Sequence, residues 1–395
     1  MRSKNSWQGV LTADWQNGGF GLYIHWPFCA AKCPYCDFNS HVSKTISQKQ
    51  WLKAYISELT RTAALTKGRV LNSIFFGGGT PSLMDPELVS GILDHVKTLW
   101  PQSNDLECTL EANPGSVEAG RFRDYSMAGV NRVSMGVQAM NDQDLARLGR
   151  IHTVDEAHAA FDIARSVFDR VSFDLIYARQ NQTLDAWRDE LGQALSWAID
   201  HLSLYQLTVE QGTAFGDRYN RGKLRGLPSD DLAADMYDLT QDLCSAAGMP
   251  AYEISNHARD GAESRHNLIY WRYGDYIGIG PGAHGRVTIN GQRYATETHL
   301  MPDAWLTAVA ETGSGESVLA AISPADQGTE YVLMGMRVVS GISHRRYNAI
   351  TGQWLPEQAL NNLAQMGMIT HTDDQIAATP AGRAVLNAVM AQMLP

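Results

Sequence analysis

The 395-residue sequence predicts an α/β fold in which repeated strand–helix units build a parallel sheet. Short runs rich in β-branched and aromatic residues alternate with longer amphipathic stretches, so that strand is followed by helix six times. Right-handed crossovers would curl six such units into an open or partial (β/α) barrel. A flat, doubly wound sheet has the same local pattern, and periodicity alone does not distinguish the two.

The predicted elements follow one another in a regular order. The predicted strands are 21–25, 73–76, 106–111, 132–136, 171–176 and 202–207. The predicted helices between and after them are 47–66, 86–99, 117–127, 153–168, 184–199 and 228–247. Polar or glycine-rich residues end each of the first five strands, and in (β/α) barrels the active site gathers at the carboxyl ends of the strands. These strand ends therefore predict one common mouth.

The pattern changes after residue 247, where a Gly- and aromatic-rich segment at 252–285 is followed by helices. The last part resembles a small winged-helix unit, with a helix at 360–366, a strand at 368–372 and a helix at 379–393. It lacks the basic character of a DNA-binding domain, so we expect a packing or lid domain. The predicted segments are 1–19 (N-terminal extension), 20–247 (barrel), 248–310 (connecting segment) and 311–395 (C-terminal domain).

Composition excludes several classes of protein. The net charge of −10 argues against a nucleic-acid partner, and 44% apolar with 19% charged residues is typical of a globular protein. The first twenty residues contain no apolar signal segment, and no run reaches the roughly 18 apolar residues of a membrane helix. Five cysteines, three of them clustered, do not form a disulfide framework. We therefore expect a cytoplasmic protein.

The most specific motif is a group of three cysteines, Cys29, Cys33 and Cys36, with the spacing C-x3-C-x2-C. Thiolates bind soft metals and iron–sulfur clusters, and three thiolates on a cubane cluster leave one iron open for a substrate. A structural zinc site needs a fourth protein ligand, and neither His25 nor His41 gives a familiar zinc spacing. The motif therefore predicts a 4Fe–4S cluster with one open iron, the signature of the radical S-adenosylmethionine (SAM) superfamily.

A glycine-rich segment, Gly77-Gly78-Gly79-Thr80, follows the second predicted strand. Such a run lets the backbone approach a ligand closely and offers unencumbered N–H and C=O groups. A phosphate loop is an alternative, but its Gly-Lys-Ser/Thr ending is missing, and a tight structural turn is another. Next to the cysteine motif, a ligand-binding loop is the favoured interpretation.

Four polar side chains near later strand ends suit a ligand such as SAM. Glu111 and Asp174 end strands and could accept hydrogen bonds from a ligand amine or from ribose hydroxyls. Gln138 and Arg150 suit ribose and carboxylate contacts, because a guanidinium pairs with a carboxylate as a planar fork. Taken singly, each residue type is more often solvated or salt-bridged. A role in ligand binding is therefore inferred only because all four are predicted near the carboxyl ends of the barrel strands.

Longer motifs extend from about residue 22 to the C-terminus. They are YIHWPFC, CPYCDF, FFGGGTPS, LEANP, RVSMGVQ, FDLIYA, SRHNLIYW and GIGPGAHG. Through them the chain resembles the radical SAM coproporphyrinogen oxidase family, and more closely its HemW branch of haem chaperones. The resemblance implies a six-stranded partial (β/α) barrel of the TIM type with a smaller, mostly helical C-terminal domain.

The resemblance also implies the site residues, although no catalytic residue is certain. Cys29, Cys33 and Cys36 would hold the 4Fe–4S cluster. The positions that resemble SAM or cluster contacts in the family are Tyr23, Tyr35, Gly78, Gly79, Thr80, Glu111, Gln138, Arg150 and Asp174. The residues that match the H-N-x-x-Y-W element associated with haem binding are His266, Asn267, Tyr270 and Trp271. Imidazole is a common axial haem ligand, and Tyr and Trp suit a porphyrin face.

Two features separate the branches of this family. The anaerobic oxidases resemble C-x3-C-x2-C-x-C, whereas Phe38 stands at the fourth cysteine position here. Together with the HNLIYW segment, Phe38 favours a chaperone that carries haem to respiratory proteins, using the cluster and SAM for transfer or control. The alternatives are oxygen-independent oxidation of coproporphyrinogen III to protoporphyrinogen IX, and a haem-degrading radical SAM methyltransferase.

The expected partners follow from the same resemblance. They are haem, a haem-accepting respiratory protein and an electron donor for the cluster. The haem acceptor also suggests a peripheral contact with the inner face of the membrane, although no basic amphipathic helix indicates one. The sequence does not distinguish a monomer from a homodimer.

Overall fold

The computed structural model describes residues 13–43, 45–116 and 119–394. The strands are β1 (Phe20–Trp26), β2 (Phe28–Cys29), β3 (His41–Val42), β4 (Leu71–Gly78), β5 (Gln102–Ala112), β6 (Arg132–Gln138), β7 (Arg170–Tyr177), β8 (His201–Gln206), β9 (Asn256–Ala258), β10 (Asp275–Ile279), β11 (His284–Ile289), β12 (Gln292–Thr298), β13 (Glu316–Ala321), β14 (Ile342–Ser343), β15 (Ile369–His371) and β16 (Gln375–Ala378). The α-helices are α1 (Gln48–Leu65), α2 (Pro86–Leu99), α3 (Ala119–Ala128), α4 (Asp142–Arg147), α5 (Val154–Val167), α6 (Leu184–Trp197), α7 (Ala214–Asn220), α8 (Asp230–Ala246), α9 (Arg265–Trp271), α10 (Pro302–Thr312), α11 (Pro324–Gly335), α12 (His344–Thr351), α13 (Glu357–Gln365), α14 (Pro380–Ala384) and α15 (Leu386–Met393). Short 3-10 helices cover Asp14–Asn17, Pro81–Leu83 and Pro114–Ser116.

The predicted repetition of strand and helix is confirmed. The six predicted strands are β1 and β4 to β8, and they lie side by side in chain order with parallel pairing. The six predicted helices correspond to α1, α2, α3, α5, α6 and α8, and their ends differ from the predicted ones by a few residues. Residues 1–12 of the predicted N-terminal extension and residues 117–118 of the predicted third helix lie outside the described residues.

The sheet continues on the other side of β1, through the predicted connecting segment 248–310 and into the predicted C-terminal domain 311–395, where the sequence predicted no strand of this sheet. β10 pairs with β1 in parallel, and β11, β12 and β13 follow in antiparallel order. Asn290 and Gly291 join β11 to β12 with φ of 50° and 83°, which is the conformation of a tight hairpin turn. The resulting eleven-stranded sheet begins at β13 and ends at β9, so it curls without closing. The partial barrel is therefore confirmed.

The two faces of this sheet carry different residues. In β1, Leu22, Ile24 and Trp26 are fully buried in the hydrophobic core beneath the outer helices. Side chains alternate along a strand, so Tyr23 and His25 belong to the inner face. The buried polar residues that share this inner face on the neighbouring strands are Ser73, Glu107, Thr109, Arg132, Ser134 and Ser172. Hydrogen bonds between these polar side chains help to hold the inside of the barrel.

The residues after β13 form a second hydrophobic core that includes Tyr331, Leu360 and Ile376. Helices α11 to α15 accompany a three-stranded sheet with the order β14-β16-β15, which agrees with the predicted winged-helix-like unit. The helix predicted at 379–393 is instead two helices, α14 and α15. They separate at Val385, whose φ of −122° and ψ of 33° are not helical.

Ion pairs attach this C-terminal unit to the barrel. Arg346 on α12 pairs with Asp14 at 2.8 Å, and Arg286 on β11 pairs with Glu330 on α11 at 2.8 Å. Within the described part of the chain, no helix is long and apolar enough to cross a bilayer.

Candidate cluster and cofactor site

The predicted site residues meet in one cavity of about 500 Å³ at the carboxyl ends of the parallel strands. The predicted cluster and SAM residues that line it are Cys29, Cys33, Tyr35, Cys36, Gly78, Gly79, Thr80, Glu111, Gln138, Arg150 and Asp174. Tyr23 does not line the cavity. It lies beneath Gly77, and a Cβ added at Gly77 would be only 2.8 Å from the tyrosine ring. Residues that are remote in the sequence thus converge as the barrel topology predicts.

The cysteine loop is held by its neighbours on both sides. Cys29 ends β2, which pairs with β3, and the N–H of Cys36 donates to the carbonyl of Cys33 at 3.2 Å. Two side chains donate to the sulfur atoms: Thr80 Oγ1 to Cys29 Sγ and Arg150 Nη1 to Cys33 Sγ, each at 3.5 Å. Hydrogen-bond donors and a guanidinium beside sulfur favour the thiolate form that binds iron.

The thiols suit an iron–sulfur cluster better than a single ion. Burial raises the pKa of Cys29 and of Cys36, so these thiols need positive charge nearby to ionise. Thiolates are the ligands that iron–sulfur clusters use, and each of the three would bind a different iron of a cubane cluster. The donor set therefore fits a cluster.

The zinc alternative finds no support in the two nearby histidines. His25 uses both ring nitrogens, Nδ1 with the Tyr23 hydroxyl at 3.0 Å and Nε2 with the Asn39 carbonyl at 2.9 Å. Burial lowers the pKa of His25 to about 4, which keeps the ring neutral. His41 Nε2 contacts Asn39 Oδ1 at 3.1 Å. His25 is thus part of the support of the cysteine loop.

The glycine loop is packed directly against the cysteine loop. The N–H of Gly79 donates to the Trp26 carbonyl at 2.7 Å, and the N–H of Thr80 donates to the Phe28 carbonyl at 2.8 Å. Gly78 has φ of +112°, and a Cβ there would lie 2.6 Å from His25 Cε1. Glycine is therefore required here because the loop packs closely against the β1 strand and the cysteine loop, whether or not a ligand is bound.

A pair of buried carboxyl groups forms one wall of the cavity. Glu111 accepts from the N–H of Gly78 at 3.2 Å, and burial together with the nearby Asp174 raises the pKa of Glu111 to about 8. Burial raises the pKa of Asp174 to about 6, although Ser134 donates to it at 3.3 Å. Within the described residues, Glu111 makes no ion pair. Two buried carboxyls of this kind suit a ligand that brings positive charge, such as the ammonium and sulfonium groups of SAM.

Gln138, at the end of β6, and Arg150 line the cavity between the strands that carry the two carboxyl groups. Arg150 Nη2 donates to the Gly136 carbonyl at 2.8 Å, while its buried Nε has no partner among the described residues. Gln138 has φ of +77°, an unusual value for a residue other than glycine. Such strain tends to occur where a side chain must be aimed at a site. A free guanidinium N–H suits a ligand carboxylate.

Sequence reasoning missed two parts of this site. The sixth strand also ends at the cavity, where Tyr205, Gln206 and Glu210 line it. The polar residues after β8 resemble those that end the first five predicted strands, so the sequence did contain a signal for this part of the site. Asn39 gave no signal, yet its amide donates to the carbonyls of Pro281 and Leu300 at 2.9 and 2.8 Å and so ties the cysteine loop to distant segments.

The HNLIYW segment does not reach this cavity. It forms α9, which packs on the inner face of β1 and β4, and His266 is 1% exposed. His266 Nδ1 contacts Ser73 Oγ at 2.7 Å and Nε2 contacts the Tyr270 hydroxyl at 2.6 Å, while the ring stacks on Phe75. Burial, with Arg132 nearby, lowers the pKa of His266 to about 3. The imidazole is therefore neutral, with both nitrogens occupied.

The other residues of this segment are also engaged in packing. The N–H of Asn267 donates to Ser264 Oγ at 3.3 Å and caps the helix. Tyr270 meets Tyr276 edge to face at 4.5 Å between ring centroids. Trp271 lies under the Arg337 guanidinium at 4.8 Å, and its buried indole N–H has no partner among the described residues.

Comparison with known proteins defines the class. Residues 23–192 match the radical SAM superfamily, and residues 322–385 match the HemN C-terminal domain. Together with the cysteine loop at the mouth of an open barrel, these matches make the chain a radical SAM protein. Membership of this superfamily implies a 4Fe–4S cluster and SAM.

The relatives define the family more closely. The heme chaperone HemW of Escherichia coli K12 is 38% identical over 374 residues, which cover 93% of this chain and 96% of that protein. HemW of Haemophilus influenzae is 37% identical over 384 residues, covering 93% and 96% of the two chains. The mouse mitochondrial radical S-adenosyl methionine domain-containing protein 1 is 35% identical, covering 95% and 87%. The chain belongs to the HemW family.

A solved structure shows the same fold. The structure of coproporphyrinogen III oxidase (HemN) from Escherichia coli superimposes with a TM-score of 0.81 at 21% identity. The match covers 99% of this chain and 93% of that one, so it includes the C-terminal unit as well as the barrel.

Replacing Glu111 with Gln is expected to make the stability of the cofactor-free protein less dependent on pH. The pKa of this carboxyl is raised from 4.5 to about 8 in the folded protein, so the unfolded chain loses the proton first as pH rises. Ionisation then favours unfolding progressively between about pH 4.5 and pH 8. The urea midpoint of Glu111→Gln should fall less than that of the wild type across this window.

The matched control is Glu311→Gln, which removes an exposed carboxylate on α10. This variant should follow the wild-type curve. A Glu111→Gln curve parallel to the wild type would mean that Glu111 is ionised in the folded protein at neutral pH.

Proposed function

We propose that this protein binds a 4Fe–4S cluster, SAM and haem, and that it acts as a haem chaperone that delivers haem to respiratory or cytochrome proteins. The observation that carries the proposal is similarity over almost the whole chain to proteins named heme chaperone HemW, at 38% identity for the Escherichia coli protein. Phe38, at the position of a fourth cysteine in the related oxidases, favours the same function.

Cys29, Cys33 and Cys36 are the proposed cluster ligands. Thr80 and Arg150 stabilise the negative charge on two of the sulfurs through the hydrogen bonds described above. When bound, the cluster would supply an electron for reductive cleavage of SAM. Three thiolate ligands would leave one iron open to SAM.

The cavity residues have proposed roles toward SAM that follow from their charges. Glu111 would accept from the amino group, and Arg150 would donate to the carboxylate. Asp174 and Gln138 would hold the ribose hydroxyls, with Gly78, Gly79 and Thr80 along the edge. Tyr35 would pack beside the cluster, and Tyr23 would support the loop from below. A bound cation would also favour the ionised form of both carboxyls.

The proposed electron donor has a suitable surface beside the cluster loop. A groove of about 770 Å³ exposes Cys33 and Cys36 together with Lys32, Arg147 and Arg218. Three cations around the thiolates favour the approach of an acidic protein, although the chain as a whole is negative. The proposed function also includes binding to haem-accepting proteins and a peripheral contact with the membrane.

The HNLIYW segment is the proposed haem-binding element. His266 can bind iron only after it exchanges the Tyr270 hydroxyl or Ser73 for the metal, because both ring nitrogens are occupied. Because His266 is also only 1% exposed, haem binding at this segment requires the side chains around the imidazole to move.

Each of the substitutions Cys29→Ala, Cys33→Ala and Cys36→Ala is expected to abolish the brown absorbance of the anaerobically reconstituted protein. Losing one thiolate leaves an iron without its protein ligand. Absorbance, iron and sulfide contents provide the measurement, and Cys244→Ala, a buried cysteine outside the loop, is the control that should retain the cluster. Full cluster content in any of the first three variants would contradict the assignment of that residue.

Gly78→Ala is expected to weaken SAM binding by about tenfold or more, because the added Cβ would lie 2.6 Å from His25 Cε1 and push the glycine loop away from β1. Gly129→Ala is the matched control: its φ of +119° is similar, but the nearest atom to its Cβ is 3.7 Å away and it lies outside the cavity. Calorimetry on the reconstituted proteins should show weaker binding only for Gly78→Ala. Equal affinities would remove the loop from the SAM site.

His266→Ala is expected to weaken haem binding, and Tyr270→Phe is expected to strengthen it. The second substitution removes the hydroxyl that occupies His266 Nε2, so it lowers the cost of freeing this nitrogen for iron. Haem titrations followed by the Soret band provide the measurement, with circular dichroism to verify folding. Unchanged titrations for both variants would place the iron ligand elsewhere.

Coproporphyrinogen III oxidation is the second candidate function, favoured by the match of residues 322–385 to the HemN C-terminal domain. The test is an anaerobic assay with coproporphyrinogen III, SAM and a low-potential reductant, with porphyrins separated by chromatography. We expect no product from protein that contains an intact cluster and binds SAM. Protoporphyrin formed over several turnovers would make the protein an oxidase.

A further inference from the structure

A groove beside the cysteine loop combines imidazoles with exposed apolar side chains. It has a volume of about 530 Å³, and its walls include His284, His299, Leu300 and Met301. Leu300 and Met301 are 62% and 58% exposed, although both side chains are apolar. Exposed apolar surface of this kind commonly marks a binding site. No function discussed so far uses these residues.

The groove presents His284 on a fixed support. His284 ends the GIGPGAHG motif, whose loop is held by Thr298: Thr298 Oγ1 accepts from the N–H of Ala283 at 2.9 Å and donates to the carbonyl of Gly280 at 2.5 Å. His284 lies directly opposite Glu297 in the β11–β12 pair, with Nδ1 3.8 Å from the carboxylate. At this distance the carboxylate makes no hydrogen bond to the ring, so, among the described residues, both nitrogens of His284 stay open to a ligand.

The imidazoles of this groove differ from His266 in their availability. Within the described residues, neither the His284 nor the His299 ring accepts or donates a hydrogen bond, and His284 is 58% exposed. Both nitrogens of His266, in contrast, are occupied inside the barrel. Ligand exchange at His284 therefore requires no rearrangement of the fold.

The composition of the groove favours haem over a bare metal ion. No group of three metal-binding side chains occurs among the described residues, whereas haem iron needs only one or two axial ligands from the protein. Apolar side chains suit the porphyrin face, and the volume lies in the range of small-molecule sites.

We propose that this groove is a second haem site, at the surface and separate from the HNLIYW segment, with His284 as its iron ligand and Leu300 and Met301 against the porphyrin, and that haem passes from it to an acceptor protein. The proposal rests on the proposed haem-chaperone function. The site adjoins the cluster cavity, because Asn39 of the cysteine loop donates to the carbonyls of Pro281 and Leu300 at 2.9 and 2.8 Å. Haem held there lies at an exposed edge that an acceptor can reach.

The test compares the full-length reconstituted protein with the double variant His284→Ala/His299→Ala. The control is His158→Ala, which removes a half-exposed histidine from α5, and His266→Ala is measured in parallel. Haem titrations give affinity and stoichiometry from the Soret band, and transfer to apomyoglobin gives the rate of release to an acceptor. The double variant should lose about tenfold or more in affinity and alter the Soret band, while His158→Ala matches the wild type.

The outcomes separate the two proposals. Wild-type protein that binds no haem contradicts both the chaperone function and the surface site. Haem binding and transfer that survive the double substitution contradict the surface site alone and leave the chaperone function standing. An equal loss in His158→Ala means that haem binds surface imidazoles without selectivity, which also contradicts the site.

Discussion

The rest of the structure depends on the burial of polar side chains on the inner face of an open sheet. Arg132 is 2% exposed and donates to Ser172 across two neighbouring strands, while Glu107 accepts from Arg170 and from the N–H of His266. A buried carboxylate or guanidinium that loses its hydrogen-bond partners destabilises the fold, so the strands have little freedom to slide past one another. Fixed strands fix their carboxyl ends, and the cavity is built on those ends.

This constraint also explains the position of the HNLIYW segment. An open sheet with a polar inner face must be covered by something that offers hydrogen bonds, and α9 provides them through His266 and its backbone. The same residues are the proposed haem element, so binding haem there competes with closing the barrel. A second, exposed set of imidazoles on β11 and beyond β12 avoids this competition, since nothing in the core depends on it.

The cysteine loop and the glycine loop form one unit, because each supplies the hydrogen-bond partners of the other. Asn39 extends this unit to the GIGPGAHG loop through two backbone carbonyls. A change in the cluster cavity therefore has a direct structural connection to the groove around His284. This connection would link the proposed cluster site to the proposed surface haem site.

The sequence by itself determined the features that depend on local spacing: three cysteines on one loop, glycines at the end of a strand, and six strand–helix repeats that give a parallel sheet. Only the tertiary structure decided which residues meet. It brought Glu111 near Asp174, 63 residues away in the sequence, where burial and the nearby Asp174 raise the pKa of Glu111. It added β10 to β13 to the sheet, buried His266 and left His284 exposed. Burial and long-range pairing depend on residues far away in the chain, and no local pattern encodes them.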